Sequence, residues 1–584
     1  METSNGNISR RHFVEGAGAL GVAGAIAASG VSAARADEGA HDAGGTLDEN
    51  GRYVPSFMVA PEPYASWDEE LDTDVVVVGL GLSGACATRK AMEDGARVVA
   101  IEKAGDFVYR SNQFGAINSD IHNLAGASCD DDTKQLIVTN FMRNMGWRPD
   151  QRIWKRWADE SGEIFNWFVS IIDNLTLLDP NKTMAETGEV ALDDPDNPVL
   201  SILNWPPNPE YDALDGTYPA WTSPAILYPN QAVVHDRERE LFEASDNVEL
   251  RFNTRVTQLI MQDGRAAGVF AEGADGKIIK VNAANGVIMA CGDYASNTEM
   301  RDYYIKSSFR FPTWIWNSMD DDGNPTNDGS GLAVGLQAGA YIEEGEHSYM
   351  VHGFGGGLGC DPFLFVDGAG KRFTNEDISG NLFSTIAARA AGGSYWQIFD
   401  DNYPDQVHTM PSGHAMYWKV VDNTDDEPWG NRFESIGWTT RADVEAGCDL
   451  VCDTVEELAE GMGVPPATLR ATIDRYNELA EKGVDEDFGK RGELLHPIAQ
   501  PPFYANQFTP ANQMAFCALT GFWSDEEARV YDKDLQVIPG LYACGNAQGR
   551  RFSIDYPTTY MGISHGMAMT YGYIAGMNAA AKFC

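Results

Sequence analysis

The sequence predicts an α/β chain organised around a Rossmann-like dinucleotide-binding unit, and three adjacent features carry that prediction. Four consecutive valines, Val75 to Val78, read as a strand buried on both faces, as in a parallel sheet. The run Gly79-Leu80-Gly81-Leu82-Ser83-Gly84 then supplies a tight turn, close backbone approach to a diphosphate, and close helix–strand packing at Gly84. Helical composition from Ala85 to Asp94 leads into a second strand, Ala96 to Ile101, which ends at Glu102, where an acid can hold a ribose hydroxyl pair. A helix opening on this turn aims its free N–H groups and its dipole at the diphosphate. Strand, glycine turn, helix, strand and terminal acid together are far more specific than a lone glycine motif.

Ahead of that unit, the N-terminus reads as an address. Ser9-Arg10-Arg11-His12-Phe13 precedes a weakly apolar Gly/Ala-rich run, Val14 to Val31, and Ala34-Arg35-Ala36 offers a cleavage site. Paired arginines before such a run are the twin-arginine pattern, which exports proteins already folded around a cofactor. Residues 1–36 are therefore expected to be a signal peptide and residues 37–71, rich in Gly, Asp, Pro and Glu, a linker. The mature protein is expected in the periplasm or on the outer face of the cytoplasmic membrane.

The 584 residues are enough for two or more domains with substantial cores. A formal net charge of −44 argues against nucleic acid or an anionic membrane surface as a partner. Nine cysteines without a C-x-x-C pair point to neither a zinc site nor a disulfide framework, so no metal is expected.

After the first unit, Tyr109-Arg-Ser111-Asn112-Gln-Phe-Gly115-Ala116-Ile-Asn118 is a loop of small and amide residues able to approach a flat ring, or an ordinary loop. Trp147 to Asp173 reads as an amphipathic helical region, and 174–231 as a long insertion without periodicity. A helix over Ala232 to Ser245 precedes strands at 248–257, 266–271 and 277–281, joined by Asp-Gly turns. Gly286-Val-Ile-Met-Ala-Cys291-Gly292-Asp293-Tyr294 is a further buried strand ending in a glycine turn.

Here the sequence resembles the fumarate reductase-like flavoproteins, a group with soluble fumarate reductases, urocanate-type reductases and ketosteroid dehydrogenases. The resemblance rests on the nucleotide motif, Ala290-Cys-Gly-Asp-Tyr294, Asn327-Asp328-Gly329-Ser-Gly331, Gly370-Lys371-Arg372-Phe373-x-Asn375-Glu376, and Ile538-Pro-Gly-Leu-Tyr-Ala-Cys-Gly545-Asn546, in that order. It implies a discontinuous FAD-binding domain, 72–345 and 518–584, with an α+β capping domain, 346–517, inserted between. It also implies non-covalent FAD held by Gly79, Gly81, Leu82, Ser83, Gly84, Glu102, Lys103, Ser111, Asn112, Gly115, Ala116, Val256, Cys291, Gly292, Asn327, Asp328, Gly545, Asn546, Gly562, Ile563 and Ser564.

Departures from the pattern bear on substrate. Fumarate-reducing members carry a proton-donating arginine four residues after the glutamate; Gly380 stands there. Their histidine is missing from Phe516-Cys517-Ala518-Leu519-Thr520-Gly521, and their second clamping arginine falls at Thr559. A dicarboxylate needs bidentate cations to offset desolvation of two charges, so fumarate is not the expected substrate. In their place stands Asp555-Tyr556-Pro-Thr-Thr-Tyr560-Met-Gly562-Ile-Ser564-His565, similar to ketosteroid-type members, with Tyr560 as proton donor or pocket lining and His352 as the second catalytic candidate. Arg550 and Arg551 read as surface or phosphate-proximal, with a monocarboxylate as their one substrate role, and His347 and Tyr349 as structural.

The expected function is an exported FAD-dependent reductase of a conjugated C=C bond in a small, non-dicarboxylate acceptor. Hydride would come from flavin N5 and a proton from a side chain, so that the substrate is a conjugated alkene or enone. The alternatives are a ketosteroid-type dehydrogenase, another flavin reduction such as dehydroxylation, or a non-catalytic flavin electron carrier. With no haem or iron–sulfur cysteine pattern in the chain, electrons are expected from an external donor, a cytochrome or quinol-linked membrane protein.

Overall fold

The computed structural model describes residues 45–47, 51–202, 224–305, 314–315, 318–320, 322–343, 345–352, 358, 362–378, 386, 390–407, 419–420, 438–439, 441–509, 514–556 and 562–583. The twin-arginine segment, Gly380, Thr559 and Tyr560 lie outside these residues.

The valine run forms the centre of β1 (Glu69–Val78), where Val75, Val76 and Val77 have no exposed surface. It leads through the glycine turn into α1 (Leu82–Glu93) and on to β2 (Val98–Ile101). Next come α2 (Gln151–Val169), α3 (Ala232–Glu243), β3 (Val248–Arg251), β4 (Thr254–Gln262), β5 (Arg265–Gly273) and β6 (Ile278–Met289). The C-terminal part adds β7 (Arg529–Tyr531), β8 (Val537–Ala543) and α4 (Ile563–Ala580).

These eight strands form one sheet in the order β4-β5-β6-β1-β2-β3, with β8 paired to β6 and β7 to β8. Its centre is parallel, Val75 opposite Val98 and Val287 opposite Leu541; the β4-β5-β6 meander is antiparallel. The parallel core is apolar on both faces because helices cover it, which is why it reads as unbroken valine rather than as alternation. The two strands expected at 277–281 and 286–289 are one long strand, β6, with an irregularity at Ala283–Gly286.

Two expectations need correction. The 174–231 stretch, read as an insertion without periodicity, holds short strands among its described residues. Thr176–Leu177, Val199–Ile202 and Ala225–Tyr228 join Gln113–Phe114 in a four-stranded sheet whose Val199–Ile202 and Ala225–Tyr228 strands are buried throughout. Short two- to four-residue strands are too brief to show periodicity. Nor is 51–71 a free linker: Phe57 is buried against Tyr303 and Tyr304, Ser56 N donates to Glu299 at 2.8 Å, and β1 already begins at Glu69.

A second antiparallel sheet, Leu364–Asp367, Tyr395–Asp400, Phe503–Phe508 and Leu450–Cys452, packs on helices Val455–Met462 and Pro466–Lys482. Glu376 is fully buried there, accepting from Arg372 Nε at 2.8 Å and Phe365 N at 3.2 Å. Arg372 also reaches Asp485 at 2.7 Å. Glu376 thus pins a turn of this sheet.

Candidate functional site

The glycine turn is enforced by contact. A Cβ on Gly84 would stand 1.9 Å from the Gly79 carbonyl oxygen, and one on Gly79 2.5 Å from that of Ala290. Only glycines let α1 begin this close to the ends of β1 and β6. Gly81 caps α1 without a side-chain hydrogen bond, an arrangement in which the first-turn N–H groups can receive a diphosphate. Leu82 and Ser83, the other residues assigned to this turn, are buried in the first turn of α1.

At the end of β2, Glu102 accepts from Leu80 N at 2.7 Å and Ala104 N at 2.9 Å. Burial raises its carboxyl above the usual range even against those two donors. Both oxygens retain lone pairs for a ribose. Lys103, Val256, Cys291, Ser330 and Gly331 line the adjoining cleft. Lys103 Nζ is 2.7 Å from Asp328, which also accepts from Ser330 N and Oγ. Burial opposes ionisation of Asp328, but Lys103 and Ser330 prevail and hold it below the usual value. Asn327 is 4% exposed and neither atom of its amide has a protein partner, as a group waiting for a ligand would be. Gly292 has φ +75° with open space where a Cβ would lie.

On the other side, the 109–116 loop meets α4 backbone to backbone. Gly115 N donates to Gly562 O at 2.8 Å. A Cβ on Gly115 would stand 2.7 Å from Ile563 Cα, and one on Gly566 1.7 Å from Gly115 O. Gly562, at φ +68°, starts α4, and Ser564 N donates to Tyr556 Oη at 3.1 Å. Asn112 holds this loop through its carbonyl, which accepts from Leu227 N at 2.8 Å, and Ala116 is fully buried. Gly545, at φ +65°, leads to Asn546.

Asp293 and Arg110, which the sequence did not single out for the site, join it here together with Arg551. Asp293, 2% exposed, accepts from Ala295 N at 2.8 Å, Ala518 N at 3.1 Å and Asn546 Nδ2 at 3.2 Å, and burial raises its carboxyl. Arg551 donates to Gln548 O at 3.1 Å and to Asn546 Oδ1 at 3.2 Å. It is 1% exposed, its Nη1 has no partner, and burial lowers its guanidinium to about 10. Burial removes the surface alternative for Arg551 and leaves the phosphate-proximal one; Arg550 beside it pairs with Asp150 at 2.8 Å and stacks on Trp523. Arg110 reaches Ser318 Oγ at 2.6 Å and Phe516 O at 3.2 Å. Asp293 was the most legible of the three, an acid directly after a buried strand and its glycine turn. Arg551 was legible only as one of two adjacent arginines with surface and phosphate-proximal readings left open.

Burial, with Arg110 nearby, pulls the His565 imidazole down to about 4, so it is neutral at physiological pH and has no acidic proton of ordinary strength to give. Burial, reinforced by Asp293, pushes the Cys517 thiol up to about 12. It is therefore a neutral group within the histidine-free segment 516–521. His347 is buried, bonded to Tyr294 Oη at 2.6 Å and stacked on Tyr304; its role is structural. His352 ends the strand Tyr349–His352, and its side chain lies outside the described residues.

A cradle between a glycine turn, a terminal acid and a second helix N-terminus defines a dinucleotide-binding protein. Residues 74–556 match the FAD binding domain family, and the chain belongs to that family. Across 98% of its length it is 27% identical to the digoxin reductase of Eggerthella lenta, covering 97% of that protein. Over 56% of its length it is 31% identical to the NADH:acrylate oxidoreductase of Vibrio harveyi, of which it covers only 30%. Its fold is that of the 3-ketosteroid-Δ4-(5α)-dehydrogenase of Rhodococcus jostii RHA1, with a TM-score of 0.60 at 21% identity over 89% of this chain and 99% of that one. The open dinucleotide cradle and the unpartnered Asn327 amide fit FAD, and the chain is an FAD-dependent oxidoreductase of the fumarate reductase-like group.

Proposed function

We propose that this protein is an exported reductase of a conjugated C=C bond in a small neutral or monoanionic acceptor, fed by an external cytochrome or quinol-linked donor. The observation that carries the substrate part is the loss of the clamping groups from their expected places, with Gly380, Thr559 and a histidine-free 516–521 segment where a dicarboxylate would require cations. Relatives named for acrylate and digoxin reduction support the reaction class.

FAD, when bound, supplies the hydride that reduces the alkene. The chain's own residues do the rest. Gly79, Gly81 and Gly84 open space for the diphosphate, Glu102 takes the ribose, and Lys103 is held by Asp328 at the edge of that cleft. The start of α4 and the buried Arg551 place positive potential beside Asn546, which favours a gain of negative charge in the cleft. Tyr560 delivers the proton to the α-carbon, with His352 as the second candidate.

The test is anaerobic reoxidation of the reduced protein by acrylate, cinnamates, enones, steroids and fumarate. A monocarboxylate or enone should reoxidise it and fumarate should not. Rapid fumarate turnover refutes the substrate reading, and reduction of the oxidised protein by a saturated steroid ketone reverses the direction. Tyr560→Phe should cost about 10²–10⁴-fold in turnover with FAD content unchanged; a loss under about tenfold transfers the role to His352.

A further inference from the structure

Three buried side chains with no part in the catalytic reading converge on the loop facing α4. Gln231, His235 and Glu238 are 1%, 1% and 0% exposed. The Gln231 Nε2 donates to two consecutive carbonyls, Arg110 O and, at 3.2 Å, Ser111 O. Its amide orientation is therefore settled, because the reverse would set Oε1 against two oxygens. His235 Nε2 lies 3.1 Å from Gln231 Oε1, so that nitrogen must carry a hydrogen. His235 Nδ1 lies 2.9 Å from Glu238 Oε2. With Nε2 already protonated, a neutral imidazole would turn a lone pair toward a carboxylate lone pair. One proton must sit between them, as imidazolium and carboxylate or as imidazole and carboxylic acid. Phe107 stacks on the imidazole at 5.7 Å and 12°, and Tyr109 covers it at 5.2 Å, so the pair is closed to water.

We propose that Glu238, His235 and Gln231 form a proton-sharing latch that positions the 110–112 turn for FAD. Ser111 sits at φ +64°, a left-handed conformation that a serine holds only under external constraint. Gln231 supplies that constraint from α3's N-terminus by gripping the carbonyls of the two peptides on either side of Ser111. The grip also aims Arg110 across the cleft at Ser318 and Phe516, and it sets Gly115 against Gly562 four residues on. These three are positioning residues: they act on FAD through the loop.

Gln231→Leu removes both donors while keeping an apolar side chain of similar length. Its FAD dissociation constant, followed by flavin fluorescence on titrating the apoprotein, should rise about tenfold or more, since two buried carbonyls lose their partner. The visible circular dichroism of residual bound flavin should change with it. Glu238→Gln is the conservative variant. A glutamine amide can donate to Nδ1 and leave His235 protonated at Nε2, so FAD affinity should stay within about threefold of the unaltered protein. A merely structural role would lower the apoprotein melting temperature and leave the affinity of folded protein unchanged. Unchanged affinity in Gln231→Leu overturns the proposal. So does a Glu238→Gln variant as damaged as Gln231→Leu, because the pair's charge would then matter rather than its shared proton. Neither readout depends on the identity of the substrate.

Discussion

Gly84→Ala adds one methyl group at the tightest point of the nucleotide turn. The new Cβ would lie 1.9 Å from Gly79 O, 2.9 Å from Gly79 C and 3.2 Å from Ala290 Cβ, whereas real Cβ contacts do not fall below 3.0 Å. Two of these neighbours are the backbone carbonyl atoms of Gly79, so no rotamer relieves the clash. The start of α1 must retreat by about 1 Å, at an overpacking cost of about 1–3 kcal/mol. The same retreat draws the first-turn N–H groups away from the diphosphate, and each hydrogen bond to a charged group is worth about 1.5–3 kcal/mol. Losing one such bond beyond the packing cost weakens FAD by about 3 kcal/mol, or about 150-fold in Kd. The assay is fluorescence titration of refolded apoprotein, with the visible absorbance per chain of freshly purified protein as a second measure. Gly276→Ala is the control: its φ of +77° imposes strain, yet nothing lies within 4 Å of a Cβ there. That variant should lose about 1–2 kcal/mol of stability with FAD affinity intact. A Gly84→Ala protein that binds FAD like the parent refutes the placement of the diphosphate at this turn.

Burial pulls the Asp485 carboxyl up, but Arg372 and the N–H groups of Lys490 and Phe488 outweigh it and hold the group at about 2. A folded pKa below the unfolded value means stabilisation that is complete above about pH 4 and lost as pH falls through 2. Asp485→Asn should therefore unfold about 2 kcal/mol more easily in urea at neutral pH, a deficit that closes toward pH 2; a pH-independent deficit would contradict it. Arg551→Met keeps the volume and removes a buried cation with no carboxylate partner among the described residues. The flavin midpoint potential should fall by about 20–60 mV, the equivalent of about 1–3 kcal/mol for two electrons, and no change would place the guanidinium's effect elsewhere. Replacing Arg10-Arg11 by Lys-Lys should leave precursor in the cytoplasm, read by cell fractionation, and unaltered export would dismiss the twin-arginine reading.

The sequence alone determined the features that depend on neighbours in the chain. Val75 to Val78 specify a doubly covered strand, Gly79 to Gly84 a turn that only glycines can make, and Glu102 a strand-terminal acid, all within about thirty residues. Strand composition, turn chemistry and the approach of a helix to its own strand are local properties, so they survive without a fold. The start of α4 at Gly562 was legible for the same reason.

Tertiary structure decided what depends on segments brought together from afar. Arg551 reads as either a surface or a phosphate-proximal arginine until the fold buries it beside Asn546 and, through that amide, links it to Asp293 some 250 residues away in the chain. The two-residue strand Gln113–Phe114 and the three further strands between 176 and 228 are too short for a pattern and exist only because they complete one another's hydrogen bonds. His235 and Glu238 sit three apart on a helix, but that they share a proton follows only from the carbonyls of Arg110 and Ser111, which orient Gln231. Burial and hydrogen-bond complementarity are properties of pairs of distant segments, and a linear pattern holds one member of each pair at a time.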